Sequence, residues 1–274
     1  MMKITLSKQI GLLGMLVLFF NLASTQPQTQ LLLPYLLNHS VADNTSVNNN
    51  VVPTIIPLQA HFQNYVEKYL DENGETLEII KERNCAKINT IQKILVKRGV
   101  PAELLYLAIV ESELKNSATS RVGAAGIWQM MPETARSFGL QVNGKTDERR
   151  QTNRSSVAAA EYLTVLYKQF DDWLLVVAAY NCGAGNVYKA IKQSGSREFW
   201  KLQRFLPAES RSHVKHFIAT HYYYEKAGSI VTLTKKERIG YLASLNEMTI
   251  KADEPTPAVL VSVQEDGAMC DQIR

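Results

Sequence analysis

Apolar side chains recur every three or four positions through most of the chain, the spacing that lines up one side of an α-helix. In LQAHFQNYVEKYL, residues 58–70, this stripe includes Phe62, Val66 and Tyr69. The alternating pattern of a strand is confined to AVLVSV, residues 258–263. We therefore predict an all-α fold. Its further helices are expected at about 75–83, 87–98, 101–114, 132–138, 154–170, 172–181, 185–194, 197–204, 208–227 and 235–246.

The beginning of the chain differs in composition from the rest. Residues 1–25 combine Lys3 and Lys8 with an apolar run and then small residues, which is the order of a secretory signal peptide. An uncleaved signal that holds the chain loosely at the membrane is the alternative. Residues 26–57 are rich in Asn, Thr, Gln and Pro and predict a flexible linker. The folded part is therefore expected to be exported, to the periplasm or cell envelope.

The overall composition narrows the function classes. The 274 residues carry a net charge of +4, and no dense basic run concentrates the excess. A surface that follows nucleic-acid phosphates needs such a run, so nucleic acid is not an expected partner. Cys85, Cys182 and Cys270 are far apart and form no Cys/His cluster, so neither a metal nor another cofactor is predicted. One disulfide of undetermined pairing is the alternative to free, buried thiols.

The first candidate for catalysis lies at the end of the apolar segment LLYLAIVESELK, residues 104–115. Glu111 follows Leu107 and Ala108 by one helical turn, so it shares their face. Burial at the edge of an apolar stripe favours the protonated carboxyl group, which is the property of a general acid that cleaves a glycosidic bond. The alternative is a structural glutamate that pairs with a neighbour, and this helix alone favours the alternative.

The segment that follows, residues 115–132, contains no Asp or Glu between its ends. Its hydroxyls, glycines, amide and apolar side chains suit a neutral sugar better than an ionic ligand. These residues are Ser117, Thr119, Ser120, Gly123, Gly126, Trp128, Gln129 and Met131. Because glycosidases usually use two carboxylates, the segment hints at single-acid chemistry. A partner brought close by folding would come from Glu133, Asp147, Glu148, Glu161, Asp171 and Asp172.

A second polar cluster lies in VVAAYNCGAGNV, residues 176–187. Gly183 and Gly185 permit a sharp turn between two helices. Tyr180 and Asn181 then stand at a helix end, where their polar tips can meet a carboxylate or a sugar. The alternative is a buried tyrosine whose hydroxyl is satisfied by the backbone.

Together these segments resemble the SLT-type lytic transglycosylases of bacterial cell walls. The resemblance is carried by Glu111–Ser112, by SRVGAAGIWQMMPETA at 120–135, by AYNCGAG at 179–185 and by LPAESRSHV at 206–214. It covers roughly residues 75–226, and GIWQ is similar to the membrane-bound murein transglycosylase D branch.

The resemblance implies a lysozyme-like helical domain of the goose type that acts on peptidoglycan glycan strands; we expect a monomer. Glu111 would protonate the oxygen of the β-1,4 bond between N-acetylmuramic acid and N-acetylglucosamine. The resulting carboxylate would deprotonate the C6 hydroxyl of the muramic acid, which closes onto C1 as a 1,6-anhydro ring. Tyr180 would form a hydrogen bond with Glu111 and orient it. The domains expected are an N-terminal helical extension at 58–98, the SLT catalytic domain at 99–227, and a C-terminal helix and tail at 228–274.

The resemblance also implies which residues contact the substrate. Gln129 and Met131 would line the subsite beside the cleaved bond, and Ser120 would meet the N-acetyl group. Cys182 departs from the family pattern because a small residue is usual there, and His213 departs because tyrosine is common there. The expected substrate-binding set is Ser112, Ser120, Gly123, Gly126, Gln129, Met131, Asn181 and Glu209.

Two other functions stay open. A hydrolytic muramidase on the same fold would need a second group to hold the attacking water, and the uninterrupted match around Glu111 disfavours it. A catalytically silent glycan-binding protein would be expected to lack Glu111 or Tyr180, and both are present.

Overall fold

The computed structural model describes residues 56–57 and 60–252. Within them the chain forms helices and isolated bridges but no strand, so the all-α prediction is confirmed. The export signal, most of the linker and AVLVSV lie outside the described residues. Every helix in the described ranges is too short or too polar to cross a lipid bilayer. The helices are α1 (Ala60–Lys97), α2 (Leu105–Ser112), α3 (Pro132–Ser137), α4 (Thr152–Phe170), α5 (Trp173–Cys182), α6 (Ala184–Ser194), α7 (Phe199–Leu202), α8 (Ala208–Glu225) and α9 (Lys235–Ala252), with 3₁₀ turns at Ala102–Leu104, Glu148–Arg150 and Gln203–Phe205.

Helix α1 joins three predicted helices into one span of 38 residues. One of the two expected breaks is present as a kink at Asn84, where the backbone is non-helical (φ −123°, ψ 15°). The other break, near Gly74, is absent, because the buried stripe continues in register from Val66 to Leu77. A glycine inside a helix costs about 1 kcal/mol, and packing of this part of α1 against α8 outweighs that cost.

Helix α5 lies at the centre of the core. Its residues from Trp173 to Ala179 are all buried, so it is apolar on every side, as a helix surrounded by other helices must be. It packs against α4, α6 and α8, and α2 also packs against α8. Each fully buried leucine or valine contributes about 1.5–3 kcal/mol to stability. Glu111, near the carboxyl end of α2, and Tyr180, near the carboxyl end of α5, are therefore held in fixed positions.

The connection between α2 and α3, residues 113–131, follows an irregular path along this end of the core. Ala125 forms antiparallel bridges with both Thr119 and Met130, which fold the connection back on itself. Gln129 has a left-handed backbone (φ 45°), a conformation that costs about 1–2 kcal/mol for a residue with a Cβ atom. Contacts from outside the segment must therefore hold this path in place. It is called the site loop below.

The end of the predicted linker contacts the helical part of the chain. Ile56 is buried and forms a bridge with Gly228, whose backbone N–H donates to the Ile56 carbonyl at 2.8 Å. A Cβ atom at Gly228 would lie 2.7 Å from the Ile56 side chain, so this close approach requires glycine.

Candidate active site

A cleft of about 350 Å³ opens where the ends of α2 and α5, the start of α8 and the site loop meet. Its lining contains no Lys, Arg or His among the described residues. Such a surface suits an uncharged ligand rich in hydroxyl and amide groups. The cleft brings together seven of the residues expected from the sequence: Glu111, Ser120, Gln129, Met131, Tyr180, Asn181 and Glu209. It is completed by Val122, Ala124, Met130, Thr134 and Tyr162.

Glu111 lies in the last turn of α2 with 14% of its side chain exposed. Its Oε1 atom is 3.0 Å from Nε2 of His213, a residue of α8 whose side chain is 9% exposed. The partner expected for this carboxylate was Tyr180, so the prediction is corrected to His213. Sequence reasoning noted His213 only as a departure from the family pattern, since 102 positions separate the two residues.

The Tyr180 hydroxyl donates instead to the main-chain carbonyl of Trp128, at 2.7 Å. A phenol has a single O–H, so this hydroxyl cannot also donate a hydrogen bond to Glu111. Burial, the negative charge of Glu111 and the nearby Tyr162 raise the pKa of Tyr180 well above its ordinary value. Tyr180 therefore stays a neutral donor, and it joins the end of α5 to the site loop.

Two further side chains hold the middle of the site loop. The Ser112 hydroxyl donates to the Ile127 carbonyl at 2.9 Å, so Ser112 supports the loop and does not line the cleft. The indole N–H of the fully buried Trp128 donates to Ser156 at 2.9 Å. The next residue, Gln129, donates its amide to the Gly126 carbonyl at 2.8 Å, which helps to offset its left-handed backbone.

Arg149 is a structural residue of the site that sequence reasoning missed. Its buried guanidinium donates to the carbonyls of Gly123 and Met130 at 2.7 and 2.9 Å, and it thereby connects both sides of the site loop. Asp147 holds the other edge of the guanidinium through two bonds of 2.8 and 2.9 Å. The Arg149 hydrogen bond and charge keep the pKa of Asp147 below its ordinary value, so the pair stays ionised. In the sequence, DERR resembles an ordinary solvated turn.

Gly126 meets this same segment. It has a positive φ of 77°, and a Cβ atom here would lie 1.9 Å from the carbonyl oxygen of Arg149. Its missing side chain therefore permits the site loop to lie directly on residues 149–150. Gly123 also has a positive φ (90°), but a Cβ there would meet nothing within 4 Å. Neither glycine lines the cleft.

The carboxylates considered as second acids lie away from the cleft, and most are engaged in other contacts. Glu148 accepts from the Gln141 N–H and pairs with Arg154, Glu161 pairs with Arg98, and Asp171 pairs with Lys235 and Arg238. Asp172 caps α5, and Glu133 lies exposed in the first turn of α3. The cleft thus contains two carboxylates among the described residues, Glu111 and Glu209.

Asn181 lines the cleft, and Cys182 follows it as the last residue of α5. The Asn181 side-chain oxygen accepts from the Ser210 hydroxyl at 2.6 Å, which joins the end of α5 to α8. Cys182 is a free thiol that donates to the Ala178 carbonyl at 3.2 Å. Burial raises the pKa of this thiol, so it stays protonated and packs as a small polar side chain.

A family model and several known proteins match parts of this chain. Residues 89–203 match the family model described as the transglycosylase SLT domain. Over 169 residues the chain is 40% identical to membrane-bound lytic murein transglycosylase D of Escherichia coli K12, which covers 60% of this chain and 37% of that protein. The chain thus spans little more than a third of that relative.

A second relative is matched over most of its length. Over 155 residues the chain is 32% identical to a putative tributyltin chloride resistance protein of Alteromonas sp. strain M-1, covering 56% of this chain and 70% of that protein. The 70 kDa soluble lytic transglycosylase Slt70 of Escherichia coli has the same fold, with a TM-score of 0.50 and 23% identity over 65% of this chain and 31% of that one. The chain belongs to the family of SLT-type lytic transglycosylases, and its helical domain has the lysozyme-like SLT fold.

Proposed function

We propose that this protein is a peptidoglycan lytic transglycosylase. It cleaves the β-1,4 bond between N-acetylmuramic acid and N-acetylglucosamine and leaves 1,6-anhydro-N-acetylmuramic acid. The observation that carries the proposal is a carboxylate, Glu111, at the wall of a cleft lined with hydroxyl, amide and apolar groups, to which the described part of the chain contributes no cationic side chain. The relatives named as lytic murein transglycosylases support the choice of substrate.

In this proposal Glu111 acts twice. Its protonated carboxyl group gives a proton to the glycosidic oxygen as the bond from that oxygen to C1 breaks. The carboxylate then takes the proton of the C6 hydroxyl as O6 bonds to C1, so Glu111 ends protonated and no water is consumed. General acid–base catalysis of this kind contributes about 10²–10⁴-fold to a rate.

The other residues of the cleft would bind and orient the glycan. Gln129 and Met131 would contact the sugar beside the cleaved bond, and Ser120 would meet an N-acetyl group. Glu209 lies exposed in the first turn of α8, where it can accept hydrogen bonds from sugar hydroxyls. Gly123 and Gly126 contribute through the path of the site loop.

We assign the catalytic domain to residues 99–227, with the helical extension at 58–98 before it and the remaining helix and tail at 228–274 after it. The match of the family model to residues 89–203 supports the centre of this assignment. The protein would act on the wall as a monomer in the periplasm or cell envelope.

Glu209 favours one competing function, a hydrolytic muramidase, because it is a second carboxylate in the same cleft. Product analysis separates the two reactions. Purified peptidoglycan is digested with the wild-type protein and with Glu111→Gln and Glu209→Gln, and the muropeptides are identified by mass spectrometry. Anhydro ends from wild type and Glu209→Gln, with none from Glu111→Gln, are expected. Reducing ends that disappear in Glu209→Gln would identify a hydrolase.

A further inference from the structure

Glu111 has an ionisable partner that the reaction as written does not use. His213 approaches Oε1 of Glu111 through Nε2 at 3.0 Å, from a different helix, and it is buried and does not line the cleft. It therefore contacts the reacting carboxyl group without contacting the space where a glycan would bind.

The other ring nitrogen decides which tautomer is present. Nδ1 of His213 is buried and has no hydrogen-bond partner among the described residues. A neutral imidazole carries one N–H, and a proton on Nδ1 would leave a buried donor unsatisfied, which is unfavourable. The proton therefore belongs on Nε2, where it is donated to Oε1 of Glu111.

This arrangement makes the two carboxyl oxygens of Glu111 unequal. Oε1 accepts from His213 whether Glu111 is ionised or protonated, because a carbonyl oxygen and a carboxylate oxygen both accept. Oε2 is left as the oxygen that can carry a proton. Building on the proposed function, we propose that His213 is a positioning residue that makes Oε2 the proton-carrying oxygen of Glu111.

The proton balance is simple. During turnover one proton moves from Oε2 to the glycosidic oxygen, and a second moves from the C6 hydroxyl to Oε2, while His213 keeps its Nε2 proton throughout.

The experiment measures kcat and KM on purified glycan strands near pH 7. His213→Gln keeps a side-chain N–H donor, whereas His213→Phe keeps a ring and removes the donor. We expect His213→Phe to lower kcat at least about tenfold with little change in KM. We expect His213→Gln to restore kcat to within a few-fold of wild type. Thermal denaturation checks that each variant folds.

A matched variant separates positioning from general damage to the helix. His216→Gln replaces the next imidazole on α8 and is expected to keep kcat and KM near their wild-type values. The proposal is overturned if His213→Phe leaves kcat unchanged, or if His213→Gln loses as much kcat as His213→Phe.

A spectroscopic readout stands apart from catalysis. Side-chain ¹H–¹⁵N correlation spectra of the wild-type protein should give His213 as the Nε2–H tautomer near pH 7, and Glu111→Gln should shift its Nε2 resonance. The Nδ1–H tautomer, or no shift in Glu111→Gln, rejects the contact. If no variant and no wild type cleaves peptidoglycan while the spectra agree, the proposed function fails and the contact stands.

Discussion

Replacing Gly126 by alanine tests whether the site loop has to lie on residues 149–150. Two effects add at this position. A left-handed backbone costs about 1–2 kcal/mol once a Cβ atom is present, and Gly126 has φ 77°. The new Cβ atom would also lie 1.9 Å from the Arg149 carbonyl oxygen and 2.6 Å from its carbonyl carbon. Ordinary contact needs about 3.4 Å, so the backbone of one segment must move by more than an ångström.

That movement has a further consequence. Arg149 holds Gly123 and Met130 by hydrogen bonds of 2.7 and 2.9 Å, and a displaced Arg149 weakens both. Overpacking of this kind costs about 1–3 kcal/mol, so Gly126→Ala is expected to lower the free energy of unfolding by about 2–5 kcal/mol in total. Since Gln129 and Met131 line the cleft, glycan cleavage should fall about 100-fold, the usual effect of a misplacement of this size.

Gly123→Ala is the matched control. Gly123 lies in the same loop at φ 90°, but its Cβ would meet nothing within 4 Å, so the backbone effect of about 1–2 kcal/mol acts alone. Urea denaturation gives the two free energies of unfolding, and turnover of purified peptidoglycan gives the two rates. If the two variants have equal stability and similar rates, the loop does not depend on the contact between Gly126 and Arg149.

Two other predictions concern the helix ends. Tyr180→Phe removes the bond to the Trp128 carbonyl and leaves that buried acceptor without its donor, so unfolding should become easier by about 1–3 kcal/mol and cleavage should slow without being lost; an unchanged rate and denaturation midpoint would contradict this. Burial raises the pKa of Asp172 from 3.8 to about 6, so the folded state holds this proton more tightly than the unfolded state. This group therefore makes stability decrease as pH rises from about 4 to about 6, by at most about 3 kcal/mol. Asp172→Asn should lack this decrease, so the wild-type stability should fall relative to that of the variant over this pH range. Parallel curves for the two proteins would show that Asp172 is already ionised at pH 4.

The helices could be predicted because their determinants are local. Apolar periodicity and the glycines between α5 and α6 located α4, α5 and α6 to within two residues of their observed bounds. The cluster around Glu111 was also recognisable, since its members lie in four short segments of the sequence. The continuity of α1 through Gly74 could not be read in this way, because packing against other helices overrides the local preference.

The contacts of the site depend on how distant segments meet. The bond between Glu111 and His213 follows from the packing of α2 on α8, and the role of Arg149 follows from the position of its turn beneath the site loop. Tyr180 was identified as a site residue, but its hydrogen bond to Trp128 depends on a loop whose backbone includes a left-handed glutamine. Periodicity carries no information on such a path.

In the proposed reaction C1 of the muramic acid is attacked by its own C6 hydroxyl, which Glu111 deprotonates, and not by water. Digestion of purified peptidoglycan in H₂¹⁸O, followed by mass spectrometry of the new chain ends, tests this directly. This reaction gives 1,6-anhydro ends without ¹⁸O from the wild-type protein and no new ends from Glu111→Gln. Reducing ends that each carry one ¹⁸O would contradict it.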